Sequence, residues 1–247
     1  MIYANEPSSW QDLQQKVCDI LAVCGCESAV EKTIATVRGD VSVDVYAADH
    51  AIKPSLTYIC ECKYWSTPVT KTIVHSFRTV VADSGAHLGY IISRSGFQSG
   101  AFAAAQNSNL KLVTWAEFQR VFLDRWKEAR YEQLRPGLED LFEFYDYFCA
   151  PIGNAINGKK DGREERLAEF EGLIRKYSLQ AAANPWNRMM AEQRFPPSLP
   201  FEAGEAATFA DYSSLFDWYE QETIAGLVEF NAFVSKYQTA PAGQFDA

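Results

Sequence analysis

Three residues on two short β-type runs carry side chains from which chemistry can be built: Asp44, Glu61 and Lys63. In the first run, Val41, Val43 and Val45 alternate with Ser42, Asp44 and Tyr46, a period of two that predicts a strand with the valines inward and Asp44 on the opposite face. In Leu56–Lys63 the same alternation sets Thr57, Ile59, Glu61 and Lys63 on one side and turns Tyr58, Cys60 and Cys62 toward the core. The spacer Ala48–Ser55, with Asp49 and Pro54, lets the two runs pair and brings Asp44 beside Glu61. Two carboxylates held so close repel, and their proton affinity rises unless a cation lies between them. A hard divalent ion such as magnesium, which takes oxygen ligands and keeps several waters, relieves that strain. Lys63 then stands beside metal-bound water, where an ammonium positions a nucleophile or offsets charge developing on a phosphate. The chemistry this constellation suits is phosphodiester hydrolysis. The same spacing also suits a solvated strand face on which Glu61 and Lys63 form an ion pair of about 0.5 kcal/mol.

Asp44 followed at this distance by Glu61-Cys62-Lys63 resembles the signature of the PD-(D/E)XK nucleases. Over about the first half of the chain, the surrounding sequence resembles the Mrr-like restriction endonuclease branch. Arg38–Val45 (RGDVSVDV) is similar to that family's glycine-rich approach to its catalytic aspartate, with Val41 and Ser42 in place of the usual small residues. Cys60–Trp65 resembles the core strand and its aromatic exit, and Gly89–Ala101 (GYIISRSGFQSGA) resembles the later strand and the Ser-x-Phe turn opening the next helix. The family often has a glutamate after an aromatic residue in its first helix; here Trp10 is followed by Gln11.

The resemblance implies an α/β fold with an αβββαβ core and a mixed sheet. It implies that Asp44 and Glu61 bind Mg2+, or Mn2+ in its place, helped by the carbonyl of Cys62, while Lys63 orients or activates the attacking water. DNA is the implied substrate, in prokaryotic defence against foreign or modified DNA. Three further residues are candidates for auxiliary contacts: Gln11 on the first helix, Glu31 on the first strand, and Gln98, which falls with Ser95 and Phe97 at a strand-to-helix turn. Glu31 reads first as an exposed strand glutamate, and Gln98 equally as part of a plain helix cap.

The 247 residues suffice for one large domain or two modest ones, and 47% apolar content supplies a packed core. No run approaches a membrane span, and MIYANEPSSW lacks a basic stretch followed by an apolar one, so a cytoplasmic protein without membrane contact is expected. Six cysteines over this length do not make a secreted disulfide scaffold, and Cys60 and Cys62 are expected as buried thiols. The net charge of −9 excludes a generally basic coat for nucleic acid. It is uneven: residues 1–120 hold 10 Lys/Arg against 11 Asp/Glu, and residues 121–247 hold 13 against 21. No phosphate loop, dinucleotide fingerprint, zinc-protease helix or nucleophile elbow is present.

In chain order, helical periodicity predicts a helix over Ser9–Val23 and a second helix starting at Thr67-Pro68 and ending near Ser84-Gly85, and weak alternation predicts a strand over 27–37 between them. A strand over Leu88–Ser93, a helix over Gln98–Gln106 and a strand over Leu110–Val113 complete a nuclease domain of residues 1–120. Residues 121–247 read as a helical domain with an assembly or regulatory role. Its predicted helices begin with Thr114–Leu134, stopped by Arg135-Pro136-Gly137, and continue with Leu138–Cys149, Arg163–Ala183 and Tyr212–Tyr237, with proline-rich Phe195–Phe201 between the last two. The aromatic-rich Leu138–Cys149 is the expected contact with other proteins. One site per chain points to a homo-oligomer or a subunit of a multi-protein complex if both strands of a duplex are to be cut. A nuclease-like fold retained as an assembly module is the rival reading.

Overall fold

The computed structural model describes residues 1–146, 149–159, 161–178 and 209–238. It divides into two compact units, Met1–Ala129 and Arg130–Ala247. In the first, Ser9 caps helix α1 (Trp10–Val23) by accepting the Asp12 N–H at 3.1 Å, and Gly25, at φ 84°, turns the chain out of it. Three strands follow, β1 (Glu27–Thr36), β2 (Gly39–Asp49) and β3 (Leu56–Lys63), then helix α2 (Lys71–Ser84), strand β4 (Leu88–Ser93), helix α3 (Ser99–Ala105) and strand β5 (Leu110–Thr114). The sheet order is β1-β2-β3-β4-β5. The first two pairings are antiparallel and the last two parallel, so the sheet is mixed and the fold α/β, as expected.

Side chains of β3 alternate between two layers. Ile59 joins Val74, Phe77 and Val81 of α2, Ala101 and Ala104 of α3 and Ile91 of β4. Cys60 is fully buried on the other side, close to Cys18 of α1. That side is closed by α1 and by the first turns of α4 (Trp115–Glu143), whose Phe122 lies edge-on to Tyr58 at 6.4 Å and whose Phe118 meets Tyr90 at 5.6 Å. Thr114 and Glu117 start α4 with the reciprocal cap their spacing predicts. Asp49, at the end of β2 and fully buried, is held by Arg125 of α4 at 2.5 Å. Gly89 has no room for a side chain: a Cβ there would lie 2.5 Å from Val81 and 2.6 Å from Leu110.

The starts of the two helices that follow β3 differ from expectation. Helix α2 starts at Lys71 rather than Thr67, because Val69 is taken into a backbone bridge with Phe97: its N–H donates to Gly96 O (2.9 Å) and its C=O accepts from Gln98 N–H (3.0 Å). Helix α3 starts at Ser99, with Gln98 as its cap.

In the second unit, α4 does not stop at Arg135-Pro136-Gly137 but runs on to Glu143. Pro136 removes one N–H donor, yet Arg135 ties Glu132 and Glu139 together across the same turn, and Gly137 lets Thr223 approach to 3.3 Å of where a Cβ would be. The predicted helix over Leu138–Cys149 is therefore not a separate element; α5 (Ala150–Asn157) follows instead. Phe144 and Tyr145 pack inward against Phe230, while Phe142 is exposed; Tyr147 and Phe148 lie outside the described residues. Helix α6 (Arg163–Lys176) ends earlier than predicted, and the far end of that segment and Phe195–Phe201 lie outside the described residues. Helix α7 (Tyr212–Tyr237) agrees with expectation and packs Phe230 and Phe233 against Leu141, Ile152 and Phe170. Among the described residues, no helix is long and apolar enough to cross a membrane.

Candidate active site

Strand β3 is the middle strand, antiparallel to β2 and parallel to β4, and its last residues carry two of the candidates. Glu61 lies level with Ile91 and Lys63 with Ser93. Two positions apart on one strand, their side chains emerge on the same face. The Lys63 ammonium is ion-paired with Glu61 Oε1 and lies 5.2 Å from the centre of the Trp65 ring, so its charge meets a carboxylate on one side and a π face on the other.

Asp44 reaches this point in a way that strand alternation does not foresee. The β2–β3 ladder ends at Val45–Cys60, and one residue further along β2 the Asp44 carboxylate takes over: its Oδ2 accepts the Cys62 N–H at 2.7 Å. Because the N–H and C=O of a strand residue leave on the same edge, the Cys62 carbonyl faces the same gap. The expected placement of Val41, Val43 and Val45 on one face is corrected here. Val43 and Val41 pack with Ile59 on the α2–α3 face, whereas Val45 pairs with Cys60, whose thiol lies near Cys18 on the α1 face. The period of two slips by one residue at Asp44. On the neighbouring strand, Val30 pairs with Val45 and Lys32 with Val43, so Glu31 and Asp44 face each other as the one omitted pair within that ladder. Glu31 sits there in the left-handed region, at φ 49°, a conformation that costs a residue with a side chain about 1–2 kcal/mol. Residues held in such sparsely populated backbone regions cluster at functional sites.

The electrostatics agree with this geometry. Burial raises the Glu61 carboxyl above the ordinary range; its hydrogen bond from Lys63 pulls it down, and the nearby Asp44 charge pushes it up again. Burial also raises Cys60 and Cys62, which keeps these thiols protonated and inert.

The auxiliary candidates are not gathered here as side chains. Gln11 is exposed on the first turn of α1; the buried glutamine of that helix is Gln14, whose amide nitrogen has no hydrogen-bond partner among the described residues. Glu31 is exposed, and no group of three or more His, Cys, Asp and Glu side chains lies close enough to hold a metal among the described residues. Gln98 is exposed and spends its N–H on Val69. Ser95 donates its hydroxyl to Trp65 O at 2.6 Å, and Arg94 donates its N–H to Lys63 O at 3.0 Å. These residues brace the chain leaving β3 against the chain leaving β4.

A family model, Mrr_cat, described as restriction endonuclease, matches residues 6–122. Over those residues the chain is similar to the Mrr-type restriction endonucleases. The matched span runs from just before α1 into α4 and contains Asp44, Glu61 and Lys63. No curated protein matches the chain. One solved structure, titled "Crystal Structure of Protein of Unknown Function AF1548", aligns with 13% identity and a TM-score of 0.39 over 92% of this chain and 98% of that one, a likeness too low to define a shared fold.

The donor set at this site fits the divalent metal that nucleases of the matched type generally use. Asp44 and Glu61 supply hard anionic oxygens and the Cys62 carbonyl supplies a neutral one; burial, and then the Asp44 charge, raise the Glu61 carboxyl against the lowering hydrogen bond from Lys63. One or two carboxylates with retained waters is the donor set that suits Mg2+.

Proposed function

We propose that the Mrr-type domain is a metal-dependent endonuclease that hydrolyses phosphodiester bonds in DNA. The observation that carries this reading is the Asp44–Cys62 hydrogen bond, which draws the Asp44 carboxylate out of the strand pattern to the spot where Glu61 and Lys63 meet. Asp44, Glu61 and the Cys62 carbonyl would hold Mg2+, with Mn2+ able to replace it. When bound there, such an ion lowers the pKa of coordinated water and offsets charge on the phosphate. Lys63 donates hydrogen bonds to the attacking water and to a non-bridging phosphate oxygen, which aligns the nucleophile for in-line displacement. Trp65, beside the ammonium and 42% exposed, limits how far Lys63 swings away.

In this reading the protein is cytoplasmic, acts within a prokaryotic defence system, and works as a homo-oligomer or in a complex, because one site per chain cuts one strand at a time. The nuclease part is residues 1–120, and residues 121–247 regulate or assemble it. Plasmid cleavage with Mg2+ and with EDTA tests the reading, and Lys63→Ala sharpens it. The variant is expected to bind Mn2+ as the wild type does in calorimetry and to cut at least ~100-fold more slowly. Cleavage by the Lys63 variant at the wild-type rate would remove the lysine from the mechanism. A folded wild-type chain that neither binds Mn2+ nor cuts would leave the assembly-module reading in its place.

A further inference from the structure

Glu31 is one of two non-glycine residues with positive φ among the described residues; the other, Asn107, sits in a turn and is of a type that tolerates the conformation. Glu31 is in the middle of a ten-residue strand. The register of β1 on β2 is the same on both sides of it, so no residue has been inserted; only the pair Glu31–Asp44 is missing. What changes across that level is the facing of β2, from Val43 on the α2–α3 face to Val45 on the α1 face.

A backbone N–H on β3 points toward β2 within the plane of the sheet, where a ladder carbonyl normally receives it. A side chain from a regular strand residue stands roughly perpendicular to that plane and does not meet such an N–H. The Asp44 carboxylate does meet one, at 2.7 Å, so the backbone of β2 must be rotated at this residue. Such a rotation is incompatible with an ordinary hydrogen-bonded pair to β1. The left-handed turn at Glu31 releases it.

We propose that Glu31 is a positioning residue for the reaction: its left-handed backbone breaks the β1–β2 pairing opposite Asp44 and so turns the Asp44 carboxylate into the sheet plane beside Glu61. The role belongs to the main chain. The Glu31 side chain is exposed and joins no metal-binding carboxylate cluster among the described residues, so the proposal needs nothing from its charge. The proposal rests on Asp44 being a metal-binding residue, as read above.

The test compares Glu31→Gly, Glu31→Asn, Glu31→Gln and Glu31→Val in the full-length chain. Glycine and asparagine accept positive φ, glutamine preserves shape without charge, and valine resists positive φ and favours regular pairing. Three readouts are taken: the melting temperature, Mn2+ affinity by calorimetry, and the Cys62 amide proton by NMR, whose shift and exchange protection report its bond to Asp44 whether or not metal is present. The Gly, Asn and Gln variants are expected to keep the wild-type Cys62 amide and Mn2+ affinity. Glu31→Val is expected to alter the Cys62 amide and weaken Mn2+ binding by ~10-fold or more, the usual scale for loss of ligand orientation. Wild-type affinity and an unchanged Cys62 amide in Glu31→Val would overturn the proposal. So would a Glu31→Gly variant that folds but loses Mn2+ affinity, because the side chain would then matter; that arm decides the question even if the valine variant fails to fold. If the wild type binds no Mn2+ while the Cys62 amide still responds to valine and not to glycine, the positioning device stands and the metal reading falls.

Discussion

Glu61 is held between opposing neighbours, and its proton reports on the balance. Burial and the Asp44 charge raise its carboxyl above the ordinary value of 4.5, while Lys63 lowers it. A carboxyl raised in the folded state binds its proton more tightly there than in the unfolded chain. Its contribution to stability is therefore complete below 4.5 and diminishes as pH rises through the raised value. Protons also compete with metal at this group, so Mn2+ affinity should increase over the same rise in pH. Asp44→Asn, which keeps an oxygen for the Cys62 N–H but drops the charge, should bring the Glu61 titration down toward 4.5 in a carbon-13 NMR titration. An unchanged Glu61 titration in that variant would mean the two carboxylates do not sense each other. The sequence made Glu61 and Lys63 legible as partners, because two residues apart on a strand is a spacing with one outcome. It did not reveal how Asp44 reaches them, because a side chain turned into the sheet plane depends on a single backbone angle at Glu31, and nothing in residue type signals that angle.

Among the elements, the strands and helices around the site follow directly from period and caps, and the departures have local physical causes. Val41, Val43 and Val45 read as one face, and hydrophobicity alone could not show the slip, because from Val43 onward no residue of β2 is exposed and both of its faces accept apolar side chains. Pro136 reads as a stop, but packing of α4 on α7 through Gly137 outweighs one lost hydrogen bond. The far end of β2 is secured by Asp49, whose fully buried carboxyl is held below its ordinary value of 3.8 chiefly by the hydrogen bond from Arg125. That stabilisation is complete above pH 3.8 and is lost as pH falls through the lowered value. Arg125→Ala should reduce unfolding free energy in urea by about 2–4 kcal/mol, because it leaves a buried carboxylate unpaired, and should move the onset of acid unfolding to higher pH. An unchanged urea midpoint would remove this pair from the account of how α4 is attached to the sheet.

Charge is a property of the whole molecule, and here it is divided unevenly: residues 1–120 carry a net −1 and residues 121–247 a net −8 of the total −9. Non-specific affinity for DNA comes mainly from neutralising phosphates, which neither half is equipped to do broadly. The acidic half should repel a duplex over about a Debye length, ~8 Å at physiological salt. The free chain is therefore expected to bind DNA weakly, and a chain shortened to residues 1–135 should bind and cut faster than the full chain, with the gap closing as salt rises from about 50 to 200 mM. A folded short chain that cuts no faster at any of those salt concentrations would contradict a gating role for the helical half.

The central claim is that Asp44 acts through its charge, as a metal-holding carboxylate, and the most direct measurement is the initial rate of supercoiled-plasmid cleavage in Mg2+ by the wild type and by Asp44→Asn. The asparagine preserves the hydrogen bond from Cys62 N–H and hence the local fold, which equal melting temperatures would verify. The account predicts a rate lower by at least ~100-fold in the variant, the scale on which losing one preorganised charge at a reacting phosphate is felt. Cleavage by folded Asp44→Asn within a few-fold of the wild type would contradict it.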